Sequence, residues 1–271
     1  MPLIRQPAVA GAFYPGQRQA LSRDLRAMLD TAWPGASLSL PVPKAIIVPH
    51  AGYIYSGSTA ALAYSRLAAG RKTIRRVVLL GPVHYLPVLG LALPGVDAFA
   101  TPLGDIEVDQ QAVADIAGLR QVAVSREAHE REHSLEVQLP FLQTVLDDFK
   151  LVPLAVGDAT PLEVAQVLDL LWGGPETLLV VSSDLSHFLP YAHAQAVDEE
   201  TVHRILALDS SLRQGQACGG TPVNGLLLAA QQHNLEPQLL GLCNSGDTAG
   251  DKHRVVGYAA IAFVERTRYV H

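Results

Sequence analysis

Four short apolar runs in this chain each end in a residue able to bind a metal or move a proton. They are Ile46-Ile47-Val48-Pro49-His50, Val77-Val78-Leu79-Leu80-Gly81-Pro82-Val83-His84, Leu178-Leu179-Val180-Val181-Ser182-Ser183-Asp184-Leu185-Ser186-His187, and Leu239-Leu240-Gly241-Leu242-Cys243-Asn244-Ser245-Gly246-Asp247. The runs show little polar alternation, the pattern of strands covered on both faces. An open α/β sheet places its ligand sites just past the carboxyl ends of such strands. Two His with one carboxylate and open positions form the ligand set of non-haem Fe(II) oxygen chemistry.

Strands are expected at 44–48, 76–81, 89–93, 151–156, 177–182, 237–242 and 254–264, and helices at 17–31, 57–69, 109–118, 134–148, 161–171, 191–208 and 222–233. Asp109, Thr160 followed by Pro161, and Thr221 followed by Pro222 read as helix starts. Alternation of this kind predicts an α/β fold with a central, mostly parallel or mixed sheet flanked by helices. The last two strands are close enough to pair antiparallel. No internal repeat or linker divides 1–271, so one domain is expected.

The net charge of −6 argues against nucleic acid as a partner. The basic group Arg71, Lys72, Arg75 and Arg76 precedes a strand and reads as solvated surface. Only 17% of residues are charged, so some surface is open to cover by another subunit in a homo-oligomer. Cys218 and Cys243 do not make a disulfide framework. Neither a secretory leader nor a run of about 18 apolar residues is visible, and a soluble cytoplasmic protein without membrane contact is the expectation.

Read from the residues alone, His50 and His84 are each directly after a strand and are candidate ligands. Asp184 and His187 allow two readings, a capped turn or a general base held by a neighbouring group. Asp247 reads first as part of a polar turn, with Cys243 a competing soft ligand four residues earlier. His133 and Glu136, three apart at a helix start capped by Ser134, share a helical face and would line the site or support it. His129, His193, His203, His233, His253 and His271 carry no spacing signal and read as surface. Ser183 lacks the Gly-x-Ser-x-Gly elbow of a serine hydrolase, and neither Cys lies in a nucleophile motif.

Six segments in order carry a resemblance over nearly the whole chain. They are Ala8-Val9-Ala10-Gly11-Ala12-Phe13-Tyr14-Pro15, Pro49-His50-Ala51-Gly52-Tyr53, Gly81-Pro82-Val83-His84, Glu132-His133-Ser134-Leu135-Glu136, Ser182-Ser183-Asp184-Leu185-Ser186-His187 and Val256-Gly257-Tyr258-Ala259-Ala260. The chain resembles the Memo family, whose prokaryotic members are often called AmmeMemoRadiSam system protein B. The resemblance implies the fold of class III extradiol dioxygenases. It implies His50 and His84 as metal ligands and His187 as an acid–base residue. Animal members carry a Cys as third ligand, where this chain places Asp247. Tyr14, Tyr53 or Tyr85 would line the pocket, and Cys218 matches a segment with no ligand role. Fe(II) is the implied metal, with Cu or Zn as alternatives. The implied activity is a dioxygenase-like oxidoreduction of a small molecule such as a diol. The alternative is a non-catalytic metal-binding accessory or a peptide-binding module, acting with AMMECR1-like and radical-SAM proteins.

Overall fold

A computed structural model describes residues 1–32, 40–213 and 215–266. Twelve strands are present among them: β1 (Ile4–Arg5), β2 (Ala45–Val48), β3 (Arg76–Pro82), β4 (Leu91–Leu93), β5 (Ala98–Thr101), β6 (Gly104–Glu107), β7 (Val122–Val124), β8 (Lys150–Val156), β9 (Thr177–Ser182), β10 (His187–Leu189), β11 (Leu235–Asn244) and β12 (Val255–Glu265). Eight α-helices accompany them: α1 (Arg18–Ala32), α2 (Tyr53–Ser65), α3 (Gln110–Ile116), α4 (Arg126–Glu130), α5 (Leu139–Val145), α6 (Pro161–Leu170), α7 (Tyr191–Leu206) and α8 (Gly220–Gln232).

The large sheet runs β10-β12-β2-β9-β3-β8-β4-β7, with β11 also paired to β12. Its centre is parallel, β2 with β9, β9 with β3 and β3 with β8. β12 joins β2 antiparallel, and β11 joins β12 antiparallel, as the short polar connection suggested. The sheet is therefore mixed. Alternate residues of each central strand feed different cores. Ile46, Val48, Val77, Leu79, Leu178 and Val180 pack with α1, α2 and α5 through Leu21, Leu25, Tyr64 and Phe141. Ala45, Ile47, Val78, Leu80, Leu179 and Val181 pack on the other face with α6, α7 and α8 through Val164, Leu168, Ile205 and Leu226. Burial on both faces is why these strands read as unbroken apolar runs.

Asp109 accepts the Ala112 N–H at 3.1 Å and caps α3. Thr160 and Glu163 close a reciprocal capping box on α6. Two expected starts differ. Gly219, not Thr221, is at the cap position of α8. The expected helix at 134–148 is a 3-10 turn, Glu136–Gln138, followed by the short α5, because Ser134 turns its hydroxyl to Pro82 O instead of capping. Strands β1, β5 and β6 form a small separate sheet that the periodicity did not predict, since each has only two to four residues. Among the described residues no helix is long and apolar enough to cross a membrane.

Register does the positioning. Val48 is opposite Ser182, and Val181 is opposite Leu80. Three neighbouring parallel strands thus end at one level, and their next residues lead into His50, Asp184 and His84.

Candidate metal centre

The ligand atoms of His50, His84 and His133 all lie within 4.8 Å of one another. His50 and His84 exit β2 and β3. His133 arrives from the loop before the 3-10 turn, a segment that contacts the end of β3 through Ser134. That approach needs Gly81: a Cβ there would lie 2.7 Å from Ser134 Oγ. The rings meet with centroids 4.6 Å apart for His84 and His133, and 5.3 and 5.5 Å for the two pairs involving His50.

Hydrogen bonds fix which nitrogen the His50 and His84 rings present. Ser182 Oγ donates to Ser134 O at 2.6 Å and accepts from Gln138 Nε2 at 2.8 Å. Its only proton is therefore used, so the 2.9 Å contact with His50 requires Nδ1–H of His50 to donate to Ser182 Oγ. Nε2 of His50 keeps its lone pair. Glu132 Oε1 accepts Nδ1–H of His84 at 2.9 Å, which leaves Nε2 of His84 free in the same way. A carboxylate or hydroxyl behind the imidazole is the usual support of a metal-binding His. Nδ1 of His133 is buried without a hydrogen-bond partner, 3.5 Å from Glu132 Oε1.

Burial, reinforced by repulsion from His84, lowers His50 to about 3. Burial and the neighbouring His50 lower His133 to about 4. Both rings are neutral at physiological pH, the state a metal requires of them. Burial alone would raise Glu132, but the His84 ring and the backbone amides of Ser134 and His84 outweigh it and hold the carboxyl at about 2. Three imidazoles, one with an orphaned buried nitrogen, fit a first-row transition metal ion.

The other expected site residues divide. Asp184 is buried beside the cluster and accepts the His50 N–H at 2.8 Å. Burial raises its carboxyl above the ordinary range, against opposing hydrogen bonds from His50 and Ala51. His187 lies close enough to influence both Asp184 and His50. Its Nδ1–H donates to Leu185 O at 2.9 Å, so Nε2 is the free basic nitrogen. Tyr85, half exposed, places its ring 6.0 Å from His133.

Asp247 does not join the three His. Its carboxylate accepts Tyr191 O–H at 2.5 Å and Asn244 N–H at 3.0 Å, capping the 3-10 turn after β11. The reason is topological. Ile261 of β12 pairs with Ile47 of β2 on one edge and Leu239 of β11 on the other, so β11 and its turn are across β12 from His50. Cys243 Sγ meets Thr59 Oγ1 at 3.0 Å, also away from the group. Glu136 does not share a helical face with His133. It accepts Arg5, the Ala8 and Val9 amides and Tyr14 O–H, tying the start of the chain to the 3-10 turn. Tyr14 is committed to Glu136, and Tyr53 donates to Val137 O at 2.8 Å, so both phenols support the wall of the site. His129 is buried, not surface, with Nε2–H donating to Ala92 O at 2.8 Å. His271 lies outside the described residues.

Sequence reasoning missed Glu132, Ser182, Gln138 and Cys218, whose sulfur meets His50 Nε2 at 3.3 Å, as parts of the site. Glu132 was visible only as the residue before His133; its bond to His84 spans 48 positions.

The model of the Memo-like protein family matches residues 5–262. A MEMO1 family protein of Sulfurisphaera tokodaii is 35% identical, covering 96% of this chain and 99% of its own length. Those of Aeropyrum pernix and Aquifex aeolicus are each 36% identical, covering 95% and 96% of this chain and 99% of their own lengths. Among solved structures, an uncharacterized Escherichia coli K12 protein aligns with TM-score 0.49 and 14% identity, covering 80% of this chain and 98% of that one, too distant to bear on the site.

Proposed function

The chain belongs to the Memo family, and from that premise we propose that it is a mononuclear metal protein of dioxygenase-like, oxidoreductase character. His50, His84 and His133 would hold the ion, and His187 would serve as the acid–base residue. The observation that carries this reading is the convergence of three imidazoles whose ligand atoms lie within 4.8 Å of one another. Imidazole suits Fe, Cu and Zn alike. Iron(II) is the metal proposed here, and when bound it would supply redox chemistry toward dioxygen.

The chain's own residues prepare the rest. Ser182 and Glu132 hold the His50 and His84 rings in one tautomer. Leu185 O does the same for His187, leaving Nε2 to take a proton from a hydroxyl of a small diol-type substrate. Asp184 fixes the turn of His50 through its backbone amide. His50 is 2% exposed, whereas His84 is exposed, so the centre opens to solvent on the His84 side.

The test is elemental analysis of protein prepared without oxygen, beside His50→Ala, His84→Ala, His133→Ala and Asp247→Ala. The expected result is about one metal ion per chain in the parent and in Asp247→Ala, lost in each His variant. Metal lost in Asp247→Ala and retained in His133→Ala would return the third position to the carboxylate. Oxygen consumption by the iron-loaded protein across a panel of diols then tests the activity itself.

A further inference from the structure

Asp198 of α7 carries a buried carboxyl, 2% exposed, that meets no lysine or arginine among the described residues. An ionisable group buried without a counter-ion is costly, and such groups cluster at functional sites. Asp198 Oδ1 accepts the Ser186 N–H at 2.9 Å. The approach depends on Gly257 of β12, where a Cβ would lie 1.9 Å from Asp198 Oδ2. That steric demand accounts for the glycine of the Val256-Gly257-Tyr258 segment.

The N–H held by Asp198 belongs to the Leu185–Ser186 peptide. The carbonyl of that same peptide, Leu185 O, accepts Nδ1–H of His187 at 2.9 Å. One peptide unit therefore joins the Asp198 carboxyl to the His187 ring. Bonds on either side anchor its ends: the Leu185 N–H donates to Gly257 O at 2.8 Å, and the Gly257 N–H donates to Ser186 O at 2.9 Å. Neither fixes the plane between them, because a peptide is a rigid unit that turns about its two flanking single bonds. Among the described residues Asp198 is the partner that fixes it from the N–H side. Burial raises the Asp198 carboxyl above the ordinary range, and the Ser186 N–H and the nearby His187 ring oppose that rise.

We propose that Asp198 is a positioning residue for His187, acting through the Leu185–Ser186 peptide; this rests on the acid–base reading of His187 above. By holding the N–H, Asp198 keeps Leu185 O facing the ring, which keeps the proton on Nδ1 and the lone pair on Nε2. A carboxylate at the N–H end also polarises the peptide and strengthens its carbonyl as an acceptor. When a proton passes from a substrate hydroxyl to Nε2, the ring becomes a cation whose Nδ1–H still donates to that carbonyl. Asp198 itself takes up no proton in this step. Asp184 and His50 also lie near His187 and are unchanged in the variants that test the idea.

The experiment is long-range proton–nitrogen NMR on the full-length, chelator-treated chain labelled at histidine, with His187→Gln assigning the His187 ring. The parent is compared with Asp198→Asn and Asp198→Leu at alkaline pH. Asn keeps an acceptor oxygen for the Ser186 N–H, and Leu fills the space without one. The Nδ1–H tautomer is expected to dominate in the parent and in Asp198→Asn. The Nε2–H form is expected to rise roughly tenfold in Asp198→Leu, the bias of about one lost hydrogen bond. A merely structural Asp198 would change stability and leave the tautomer where it is. An unchanged tautomer in Asp198→Leu overturns the proposal, as does loss of the Nδ1–H form in Asp198→Asn. If Asp198→Leu does not fold, hydrogen exchange in the parent decides. The Ser186 amide is expected to exchange at least about 100-fold slower than an exposed amide, and exchange at the exposed rate overturns the contact. The underlying reading fails separately: iron-loaded His187→Gln that consumes oxygen with diols as the parent does would remove the acid–base role and leave the tautomer result intact.

Discussion

Glu132 holds His84 twice, accepting its ring Nδ1–H at Oε1 (2.9 Å) and its backbone N–H at Oε2 (2.6 Å). The same Oε1 accepts the His133 and Ser134 amides at 2.9 and 2.8 Å. One buried carboxylate thus sets the ring orientation of one candidate ligand and the chain path of another. Its charge is what makes this possible, since a carboxylate accepts at several lone pairs and donates at none.

Glu132→Gln keeps the shape and removes that property. One amide position becomes a donor facing N–H groups, so His84 loses its fixed tautomer. Metal affinity, measured by competition with a chromogenic chelator, is expected to fall about 10- to 100-fold. An unchanged affinity would show that Glu132 has no part in orienting the ligands.

Gly81 offers a steric test of the same junction. A Cβ there would lie 2.7 Å from Ser134 Oγ and 3.0 Å from Leu135 Cδ2. Gly81→Ala is expected to push the His133 loop away from β3, costing about 1–3 kcal/mol of stability. Metal affinity should drop with it, because His133 moves with Ser134. Urea unfolding and chelator competition on one preparation check both. A variant that loses stability but binds metal as before would mean that the His133 loop is not tied to this contact.

The central fold was legible because β2, β3 and β9 are buried on both faces and carry no competing signal. The placement of His50 and His84 followed from the strand-end rule. What the sequence concealed were relations across distance. Asp247 follows a strand just as His84 does, and nothing local says that β11 is on the far edge of β12. His133 and Glu136 have helical spacing, yet Glu132 captures the Ser134 amide and the segment tightens into a 3-10 turn, sending the two side chains apart. Cys218 precedes a Gly-Gly pair with no spacing signal, and its neighbour His50 is 168 positions away.

Arg5 and Glu136 form a buried ion pair, with side chains 5% and 0% exposed. Arg5 also donates to His129 O at 2.9 Å and to Glu132 O at 2.6 Å. It therefore joins the start of the chain to both ends of the segment carrying His133. Arg5→Met leaves Glu136 charged and buried with fewer donors, and a loss of about 3–5 kcal/mol is expected in chemical denaturation. Arg5→Met combined with Glu136→Gln should cost less than the two single changes summed, because the uncompensated charge is gone. Additive costs would rule out coupling between the pair.

Acid sensitivity follows from the buried histidines. In the metal-free fold, burial lowers His129 to about 4, against about 6.5 in an unfolded chain. Above pH 7 neither state binds the proton, and the ring contributes no pH dependence. Between about pH 6.5 and 4 the unfolded chain takes up a proton that the fold refuses, so stability falls as pH falls. The slope is about 1.4 kcal/mol per pH unit, roughly 3 kcal/mol across the window. Below that window His129 is protonated in both states and the loss stops growing. His133 acts over the same range, and His50 extends it to about 3. His129→Gln keeps an N–H for Ala92 O and removes the titrating ring. Urea unfolding of chelator-treated protein from pH 7 to pH 4.5 should therefore show a shallower loss in His129→Gln, by close to one proton. Parallel curves for the two proteins would mean that His129 is already protonated in the fold at these pH values.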